Sequence, residues 1–290
     1  MIIVKLQGGL GNQMFQYAMA KQLAILNNTF LKIDRNHFAN NNNAANITVR
    51  KYELAIFRLD VAEATIQDIN YFTKKSHLLG RIIKKISGAK IINETAYSFD
   101  PNYNSYGANC YLNGYWQNEK YFRNISSVIK AEFEFKNTLV DDNAKVCSLV
   151  NSSNSVSLHI RRGDYVDNAS TNEFHGTCSM EYYRQAISLI NTRVDNPHFF
   201  IFSDDVDWVK ANFKLDILFT IVDINDEDNC GNDLHLISLC KHNIMANSSF
   251  SWWGAWLNNN NNKVVIGPKK WFNDTTIDTS TLLPDNWFKI

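Results

Sequence analysis

The residues with the clearest capacity for chemistry are two adjacent arginines, Arg161 and Arg162, followed by Gly163 and Asp164. They come directly after Val156 to Ile160, an apolar run that predicts a strand, and ligands in α/β sheets bind at the carboxyl ends of strands. An arginine donates two hydrogen bonds to a phosphate and cannot lose its proton. The pair therefore suits a leaving diphosphate, whose negative charge grows as the bond to it breaks. A surface arginine pair neutralised by Asp164 is the alternative.

A second polar segment, Asn247-Ser248-Ser249, stands directly before an aromatic run that begins at Phe250 and contains three tryptophans. This run predicts a helix over 250–257. Serine and asparagine at a helix start, together with the unpaired N–H groups of the first turn, form an anion site. For the tryptophans we favour packing in the core. For Ser248 and Ser249, ligand binding and simple helix capping are equally good interpretations.

Two carboxylates, Asp204 and Asp205, come after the apolar run Phe199 to Phe202 and Ser203. A carboxylate at a strand end can hydrogen-bond a nucleoside base or a ribose. It can equally cap the next helix, where its charge is favourable. Asp205-Val206-Asp207 also matches the Asp-x-Asp pattern that holds a divalent metal in some transferases, but a three-residue match arises by chance. We therefore predict no metal.

A group of glycines, Gly8-Gly9-Leu10-Gly11, follows the apolar run Ile2 to Leu6. Their spacing fits neither a dinucleotide-binding loop nor a Walker loop, and no lysine stands where a Walker loop needs one. A tight turn that brings the backbone close to a ligand is the better interpretation. Asn12 then either orients a hydroxyl group or caps the following helix.

These segments need a scaffold of alternating strands and helices. The chain opens with a predicted strand over 2–6, a helix over 12–26 and a strand over 30–33, which is typical of nucleotide-binding α/β layers. From residue 155 the alternation is regular and predicts parallel sheets built from βαβ units. The predicted strands there are 156–160, 198–202, 218–222, 244–246 and 264–266, and the helices are 180–190, 205–213, 232–240 (capped by Asn232) and 250–257. We place a domain boundary at the polar run 151–154, which gives domains 1–150 and 151–290.

Composition excludes several classes of protein. The chain has 29 Lys or Arg and 29 Asp or Glu among 290 residues, so it has no net field that attracts nucleic acid. Its five cysteines are scattered without a Cys-x-x-Cys pair, which argues against a zinc site or a disulfide framework. No secretory leader or membrane-spanning run is recognisable, so we expect a cytoplasmic protein. Lysine pairs at 74–75 and 84–85 predict a solvated helix face, with peripheral association with a membrane as the alternative.

Taken together, four segments resemble one family, the α-1,2-fucosyltransferases of bacterial surface-glycan pathways. The resemblance runs from residue 2 to about residue 272, and the segments keep the family's order. The four segments are Gly8-Gly9-Leu10-Gly11-Asn12-Gln13-Met14-Phe15-Gln16-Tyr17-Ala18, His159-Ile160-Arg161-Arg162-Gly163-Asp164-Tyr165, Phe202-Ser203-Asp204-Asp205 and Asn247-Ser248-Ser249-Phe250-Ser251-Trp252-Trp253-Gly254-Ala255-Trp256-Leu257. The arginine segment is typical of the wider α-1,2, α-1,6 and protein O-fucosyltransferase group, and the serine–tryptophan segment is typical of the α-1,2 branch. Residues 37–110 match weakly, and acceptor choice is expected there.

The resemblance implies an α/β GT-B architecture with two Rossmann-like domains facing a cleft, an inverting reaction and independence of metal. The N-terminal domain would face the acceptor, and the C-terminal domain would hold GDP-fucose, with Arg161 at the β-phosphate. The other implied donor-binding residues are His159, Arg162, Asp164, Ser203, Asp204, Asn247, Ser248, Ser249 and Phe250, and the implied acceptor-side residues are Gly9, Asn12 and Gln13.

The implied reaction moves L-fucose from GDP-fucose to the 2-hydroxyl of a terminal galactose in a surface glycan. Arg161 stabilises the leaving GDP, and Asn12 orients the hydroxyl group. No general base can be named from the sequence; the candidates are Glu94, Glu119, Glu173 and His175. The alternatives are a fucosyltransferase of another linkage, α-1,6 or protein O-linked, and a non-catalytic GDP-sugar-binding protein.

Overall fold

A computed structural model describes residues 1–40, 50–74, 78–163, 173–174 and 176–290. The chain forms two compact units. Unit 1 comprises Met1–Lys136 together with Asp278–Leu282, and unit 2 comprises Asn137–Ile277 together with Leu283–Ile290. Each unit has its own sheet and its own apolar core, as layered α/β domains require.

The described part of unit 1 contains a parallel sheet with the strand order β3-β2-β1-β5-β4. The strands are β1 (Ile2–Lys5), β2 (Leu31–Asp34), β3 (Ala62–Glu63), β4 (Lys90–Asn93) and β5 (Cys110–Asn113). In the central strand β1, Ile2, Ile3 and Val4 are fully buried. Such an unbroken apolar run fits a parallel strand covered on both faces.

Five helices of unit 1 are α1 (Leu10–Leu26), α2 (Asn36–Asn40), α3 (Ile66–Thr73), α4 (Leu78–Ile86) and α5 (Ser126–Glu132). α1 has buried residues on every side, which makes it a core helix. α3 begins with a reciprocal capping box between Thr65 and Asp68. Asp278–Leu282 joins this unit because Nδ2 of Asn118 donates 2.8 Å hydrogen bonds to both oxygens of Thr281.

The described part of unit 2 contains a second parallel sheet, with the order β11-β10-β9-β6-β7-β8. The strands are β6 (Asn154–Ile160), β7 (Pro197–Ser203), β8 (Phe219–Ile221), β9 (His242–Ile244), β10 (Val265–Gly267) and β11 (Phe288–Lys289). Helices that pack with them are α6 (Asp141–Ser152), α7 (Met180–Asn191), α8 (Val206–Asn212), α9 (Cys230–Leu239) and α10 (Ser249–Leu257).

The predicted alternation of strands and helices after residue 155 is confirmed, with end shifts of a few residues. The position of Asn232 is wrong as a helix cap. α9 begins at Cys230, after a 3-10 turn (Glu227–Asn229) that Asp226 caps by accepting a hydrogen bond from the N–H of Asn229. Asn232 therefore lies inside the helix. Because Glu227 and Asp228 follow Asp226, the sequence here contains several possible helix caps and does not identify the earlier start.

The boundary between the units lies at Lys136 and Asn137 rather than near residue 150. α6 belongs to unit 2 because its Val150 packs with Phe200 and Phe202 of β7. The polar run 151–154, which predicts a linker, is the short connection from α6 to β6. Within the ranges that the structure describes, no helix is long and apolar enough to cross a membrane.

Candidate functional site

The carboxyl ends of β6 and β7 bring the arginine segment and the aspartate segment together. The strands pair with Ile160 opposite Ser203, so the next residues of both strands lie at the same sheet edge. Oδ2 of Asp204 lies 3.0 Å from Nη1 of Arg161, and Oδ1 accepts a 2.8 Å hydrogen bond from the main-chain N–H of Arg162. The Arg161 and Asp204 side chains are 21% and 22% exposed. Asp204 therefore holds the Arg161 guanidinium at an edge where ligands of α/β sheets bind.

Gly163 lies against the same carboxylate. A Cβ atom on Gly163 would stand 2.5 Å from Oδ2 of Asp204, which is closer than any real contact of this kind. A larger residue at position 163 would displace the carboxylate that orients Arg161. The glycine is thus required by close approach.

Arg162 has a different environment from Arg161. Its Nε lies 3.3 Å from Oδ2 of Asp205, and its guanidinium carbon lies 3.9 Å from the ring centre of Trp208. Asp205 also caps α8, because its Oδ1 accepts a 3.1 Å hydrogen bond from the N–H of Trp208. Ser203 supports this turn through a 3.0 Å bond from the N–H of Asp205 to its Oγ. These contacts fit a role for Arg162 in shaping the loop.

His159, near the end of β6, is 5% exposed, and its buried Nδ1 atom has no hydrogen-bond partner among the described residues. Burial, together with the charge of Arg161, lowers the pKa of His159 to about 3, so the ring is neutral. A buried polar atom without a partner costs free energy. A ligand that supplies a hydrogen-bonding group here would remove that cost.

The ring of His159, two residues before Arg161, packs against the first turn of α10. Its centre lies 5.6 Å from the ring centre of Phe250. Ser248 caps the helix, since its Oγ accepts a 3.3 Å hydrogen bond from the N–H of Phe250, and the helix itself begins at Ser249. The first turn of α10, with its N–H groups and positive end of the helix dipole, therefore lies beside His159.

Asn247 is almost completely buried and connects two loops. Its Nδ2 donates 3.1 Å hydrogen bonds to the main-chain oxygens of Gly176 and Trp271. These two hydrogen bonds fit a structural role for Asn247 beside the start of α10. The implied contact of Asn247 with the donor remains a prediction.

The tryptophans of α10 lie in the core, as predicted. Trp252 and Trp253 are fully buried and Trp256 is 6% exposed. The rings of Trp252 and Trp253 meet edge to face at 5.1 Å between centres. Gly254 lets α10 pack closely on α9, because a Cβ atom there would overlap the side chain of Ile237.

In unit 1 the glycine turn leads directly into α1. Gly8 has a φ of +76°, which glycine adopts readily, and Gly9 is the N-cap residue in an extended conformation. Asn12 lies inside the helix, so it does not act as the cap. Its Oδ1 accepts a 2.7 Å hydrogen bond from Nε2 of Gln117, which fixes the orientation of its amide.

Gln13 is fully buried and ties the glycine turn to a second loop. Its Nε2 donates to the main-chain oxygens of Gly8 (2.9 Å) and Lys51 (2.8 Å), and its Oε1 accepts a 3.0 Å hydrogen bond from the N–H of Glu53. The amide of Gln13 is thus committed to internal contacts. It brings the Glu53 carboxylate to the neighbourhood of Gly9, where Oε2 stands 3.9 Å from the position of an added Cβ.

The candidate general bases occupy different environments. Glu94 accepts hydrogen bonds from the main-chain N–H groups of Tyr115 (2.6 Å) and Trp116 (2.9 Å), and burial raises its pKa. This carboxylate holds a turn in which Trp116 has a φ of +57°. Glu119 lies 3.9 Å from Nε of Arg123. Glu173 is exposed, and His175, like the donor-binding candidate Asp164, lies outside the described residues.

Two residues near these sites have no place in the sequence motifs. Gln117 has no motif around it, and only its contact with Asn12 reveals it. Asp233, in the first turn of α9, has a sequence signal that could have found it: it is an acidic residue directly before the buried Leu234, Leu236 and Ile237. Burial raises the pKa of Asp233 to about 7, and its Oδ1 accepts a 2.6 Å bond from Nδ2 of Asn225.

Asp233 lies at the same sheet edge as His159. α9 and α10 each precede a strand of one parallel sheet, so the two helices run in the same direction. Ile237 contacts Gly254, and one turn earlier in both helices stand Asp233 and Phe250. The start of α9, which contains Asp233, and the start of α10, which contains Phe250, therefore lie at the same end of unit 2.

Comparison with known proteins identifies the family of the chain. The family model described as "Glycosyl transferase family 11" matches residues 1–290. The chain belongs to glycosyl transferase family 11. The family resemblance predicted from the four motifs is confirmed, and the protein is a glycosyltransferase.

Two full-length relatives of this family 11 protein come from Escherichia coli. An alpha-1,2-colitosyltransferase is 34% identical over 304 aligned residues and covers 100% of this chain and 98% of its own. The O-antigen biosynthesis glycosyltransferase WbnK is 32% identical, over 98% of this chain and 99% of its own. Galactoside alpha-(1,2)-fucosyltransferase 1 of Leontocebus fuscicollis is 26% identical over 50% of this chain and 42% of its own.

A solved structure supports the fold class. A mutant of FUT1 from Arabidopsis thaliana in complex with GDP superposes with a TM-score of 0.51 at 10% identity, over 91% of this chain and 69% of that one. At this level of identity the likeness concerns the fold alone. The predicted α/β class, with two Rossmann-like units of GT-B type, is confirmed.

Proposed function

We propose that this family 11 enzyme is a galactoside α-1,2-fucosyltransferase that uses GDP-fucose and inverts the anomeric centre. The observation that supports it is the Arg161–Asp204 pair at the ends of β6 and β7, beside the unpaired Nδ1 of His159 and the start of α10. A fixed guanidinium and a helix N-terminus are both groups that bind a diphosphate. Relatives named for α-1,2 transfer support the linkage.

Arg161 acts on the leaving group in this proposal. As the bond between fucose and the β-phosphate breaks, negative charge grows on the phosphate oxygens. A guanidinium already oriented by Asp204 needs no reorganisation to stabilise that charge. The N–H groups at the start of α10 add further donors to the same diphosphate.

The nucleoside part of GDP is proposed to bind between His159 and Asp233. Guanine presents two adjacent N–H donors, N1–H and the 2-amino group, which match the two oxygens of a carboxylate. Asp233 supplies such a carboxylate, and Nδ1 of His159 accepts or donates one further hydrogen bond. Because the binding of two N–H donors favours the ionised carboxylate, GDP affinity should rise with pH through the pKa of about 7.

Unit 1 is proposed to receive the acceptor at Gly9 and Asn12. The Asn12 amide, fixed by Gln117, orients the galactose 2-hydroxyl for in-line attack on the anomeric carbon. With an oxocarbenium-like transition state the hydroxyl proton leaves late, so a strong base is unnecessary. The committed hydrogen bonds of Glu94 fit this view, since both of its oxygens already bind the main chain.

Metal independence is part of the proposal. In this proposal Arg161 and the start of α10 supply the positive charge that a metal ion would otherwise give the diphosphate.

Colitosyl transfer is the second candidate, because the colitosyltransferase relative aligns over the whole chain. Colitose is fucose without its 3-hydroxyl, so the two donors present the same nucleotide to unit 2. A site that hydrogen-bonds the 3-hydroxyl discriminates strongly against colitose, whereas an apolar site does not.

The experiment that tests the proposal is incubation of the purified protein with either GDP-fucose or GDP-colitose and a galactose-terminated acceptor, in the presence of a chelator. GDP release gives the rate, and product analysis gives the linkage. An α-1,2-fucosylated product formed faster than the colitosylated one supports fucose as donor.

Three results would count against the proposal. A higher kcat/KM for GDP-colitose would identify colitose rather than fucose as the donor sugar. An α-1,6-linked or peptide-linked product would show that the linkage is not α-1,2. Binding of GDP-fucose without turnover on any glycan or peptide acceptor would leave the protein a GDP-sugar-binding protein.

A further inference from the structure

Helix α4 of unit 1 turns an apolar face to solvent. Leu79, Ile82, Ile83 and Ile86 are 75%, 47%, 58% and 82% exposed. Their spacing of three and four residues places them on one side of the helix. Ordinarily this face of an amphipathic helix packs on the core, and a contiguous exposed apolar face marks an interaction site.

The opposite side of α4 holds the helix in this orientation. Nζ of Lys84 donates hydrogen bonds to the main-chain oxygens of Lys74 (2.9 Å) and Phe72 (3.4 Å), at the C-terminal end of α3. A lysine at a helix C-terminus is favourable for the dipole as well. Lys84 therefore attaches one flank of the polar side of α4 to the protein, and Arg81 and Lys85 stay exposed.

The segment around α4 is also strongly basic. Residues 74–93 contain six Lys or Arg and no Asp or Glu, in a chain whose 29 basic and 29 acidic residues balance. Arg81 and Lys85 on the helix are exposed, as is Lys90 on the edge strand β4. The apolar face thus stands within a local surplus of positive charge, and its occupant should be both apolar and anionic.

We propose that α4 docks unit 1 on an anionic lipid surface. The four apolar side chains enter the boundary between headgroups and acyl chains, and Arg81 and Lys85 contact the anionic headgroups. A second copy of this chain fits less well, because a symmetric pairing of two α4 faces would bring like charges together. This proposal goes beyond the proposed function and does not depend on it.

The test is co-sedimentation of the full chain with vesicles. One set contains phosphatidylglycerol mixed with phosphatidylcholine, and the other contains phosphatidylcholine alone. We expect binding to the anionic vesicles, weakened by salt because the attraction is screened, and little binding to the neutral ones.

Two double variants separate the charge from the apolar face. Arg81→Gln with Lys85→Gln should lower the partition coefficient onto anionic vesicles about 30-fold, because each basic residue near such a surface contributes about fivefold. Ile83→Ser with Ile86→Ser should lower it at least about tenfold through lost apolar burial.

The matched controls are Lys269→Gln with Lys270→Gln, which are exposed basic residues of unit 2, and Phe30→Ser, which replaces a side chain that is 82% exposed. The controls should bind as the unaltered protein does. All variants should keep the Tm and the far-ultraviolet circular dichroism of the unaltered protein, which shows that they are folded.

Several results would overturn the proposal. Equal binding to neutral and anionic vesicles would remove the role of charge, and binding unaffected by the α4 variants would place the contact elsewhere. Absence of vesicle binding, together with dimerisation in sedimentation velocity that the Ile83→Ser and Ile86→Ser pair abolishes, would assign the face to a second copy.

Discussion

The polar groups of the two units differ in kind. In unit 2 the candidate site is made of charges held at strand ends, where Asp204 fixes Arg161 and Asp205 fixes Arg162. In unit 1 it is made of neutral amides, where Gln117 fixes Asn12 and Gln13 braces two loops. In the proposed reaction the first arrangement would stabilise developing negative charge, and the second would orient a group that stays neutral for most of the reaction.

This difference separates the two halves of the proposed chemistry. A leaving diphosphate needs permanent positive charge close at hand. An attacking hydroxyl needs position more than charge, and an amide supplies position without trapping the hydroxyl in an ion pair. Substitutions in unit 2 should accordingly affect breakage of the donor bond, and substitutions in unit 1 should affect acceptor transfer with donor binding intact.

The largest effect is expected from Arg161→Ala. It removes the oriented guanidinium from the leaving group, so kcat at saturating donor should fall about 100- to 1000-fold. Arg161→Lys should recover little, because an ammonium lacks the planar fork. Steady-state GDP release measures this.

The matched control is Arg184→Ala, since that side chain is 57% exposed and lies 3.8 Å from Glu181 on the surface. Arg184→Ala should keep the kcat of the unaltered protein. Near-normal turnover of Arg161→Ala would disprove the assignment of Arg161 to the leaving group.

A smaller effect is expected when the support of Arg161 is weakened. Asp204→Asn removes the carboxylate charge that holds the Arg161 guanidinium and the main-chain N–H of Arg162. We expect kcat/KM to fall about 10- to 100-fold, and Gly163→Ala to act in the same direction because its Cβ displaces the carboxylate.

Thermal unfolding is the control for both of these variants. The Tm should move little, because the pair is partly exposed. A fall in Tm that accounts for the lost rate would show that Asp204 serves the fold rather than the position of Arg161.

The amides of unit 1 should give a different signature. Asn12→Ala should lower kcat with the acceptor about tenfold or more, and Gln117→Leu should give part of that loss, because Gln117 acts through Asn12. The double variant should be no worse than Asn12→Ala, which a double-mutant cycle tests. GDP affinity, measured by calorimetry, should be unaltered; a weaker GDP affinity in Asn12→Ala would break the division between the units.

The smallest effect concerns stability rather than rate. The pKa of Asp233 is raised from 3.8 to about 7 in the folded protein, so the folded state binds more protons than the unfolded state between about pH 4 and pH 7. The free energy of unfolding should therefore fall as the pH rises through this window. Asp233→Asn removes that titration and should be more stable than the original protein above pH 7, by at least about 1 kcal/mol.

Denaturant unfolding at pH 5 and pH 8 measures this difference between variant and original protein. It should be larger at pH 8 than at pH 5. An equal difference at both pH values would mean that Asp233 is ionised throughout this range in the folded protein.

The candidate site of unit 2 could be predicted from sequence because its residues are local. Strand β6 and the arginines, strand β7 and the aspartates, and the serines with α10 are each continuous segments, and the rule that parallel strands end at one edge is enough to collect them. The predicted roles of Ser248 as helix cap and of the tryptophans as core residues follow from the same local patterns.

The candidate site of unit 1 could be predicted only in part. The glycine turn and Asn12 stand in one segment, but the amide of Asn12 is set by Gln117, which follows β5 and has no signal of its own. The same holds for the return of Asp278–Leu282 to unit 1 and for the start of α9, where local signals for several helix caps compete.

By itself the sequence determined the α/β class, the family and the charged character of the candidate site in unit 2, because periodicity and motif identity are properties of neighbouring residues. Only the tertiary structure decided which polar groups are committed to one another, as in Asp204 with Arg161 and Gln117 with Asn12, and which helix face remains uncovered on α4. These depend on contacts between residues distant in the chain, whose register is set by the packing of the whole sheet.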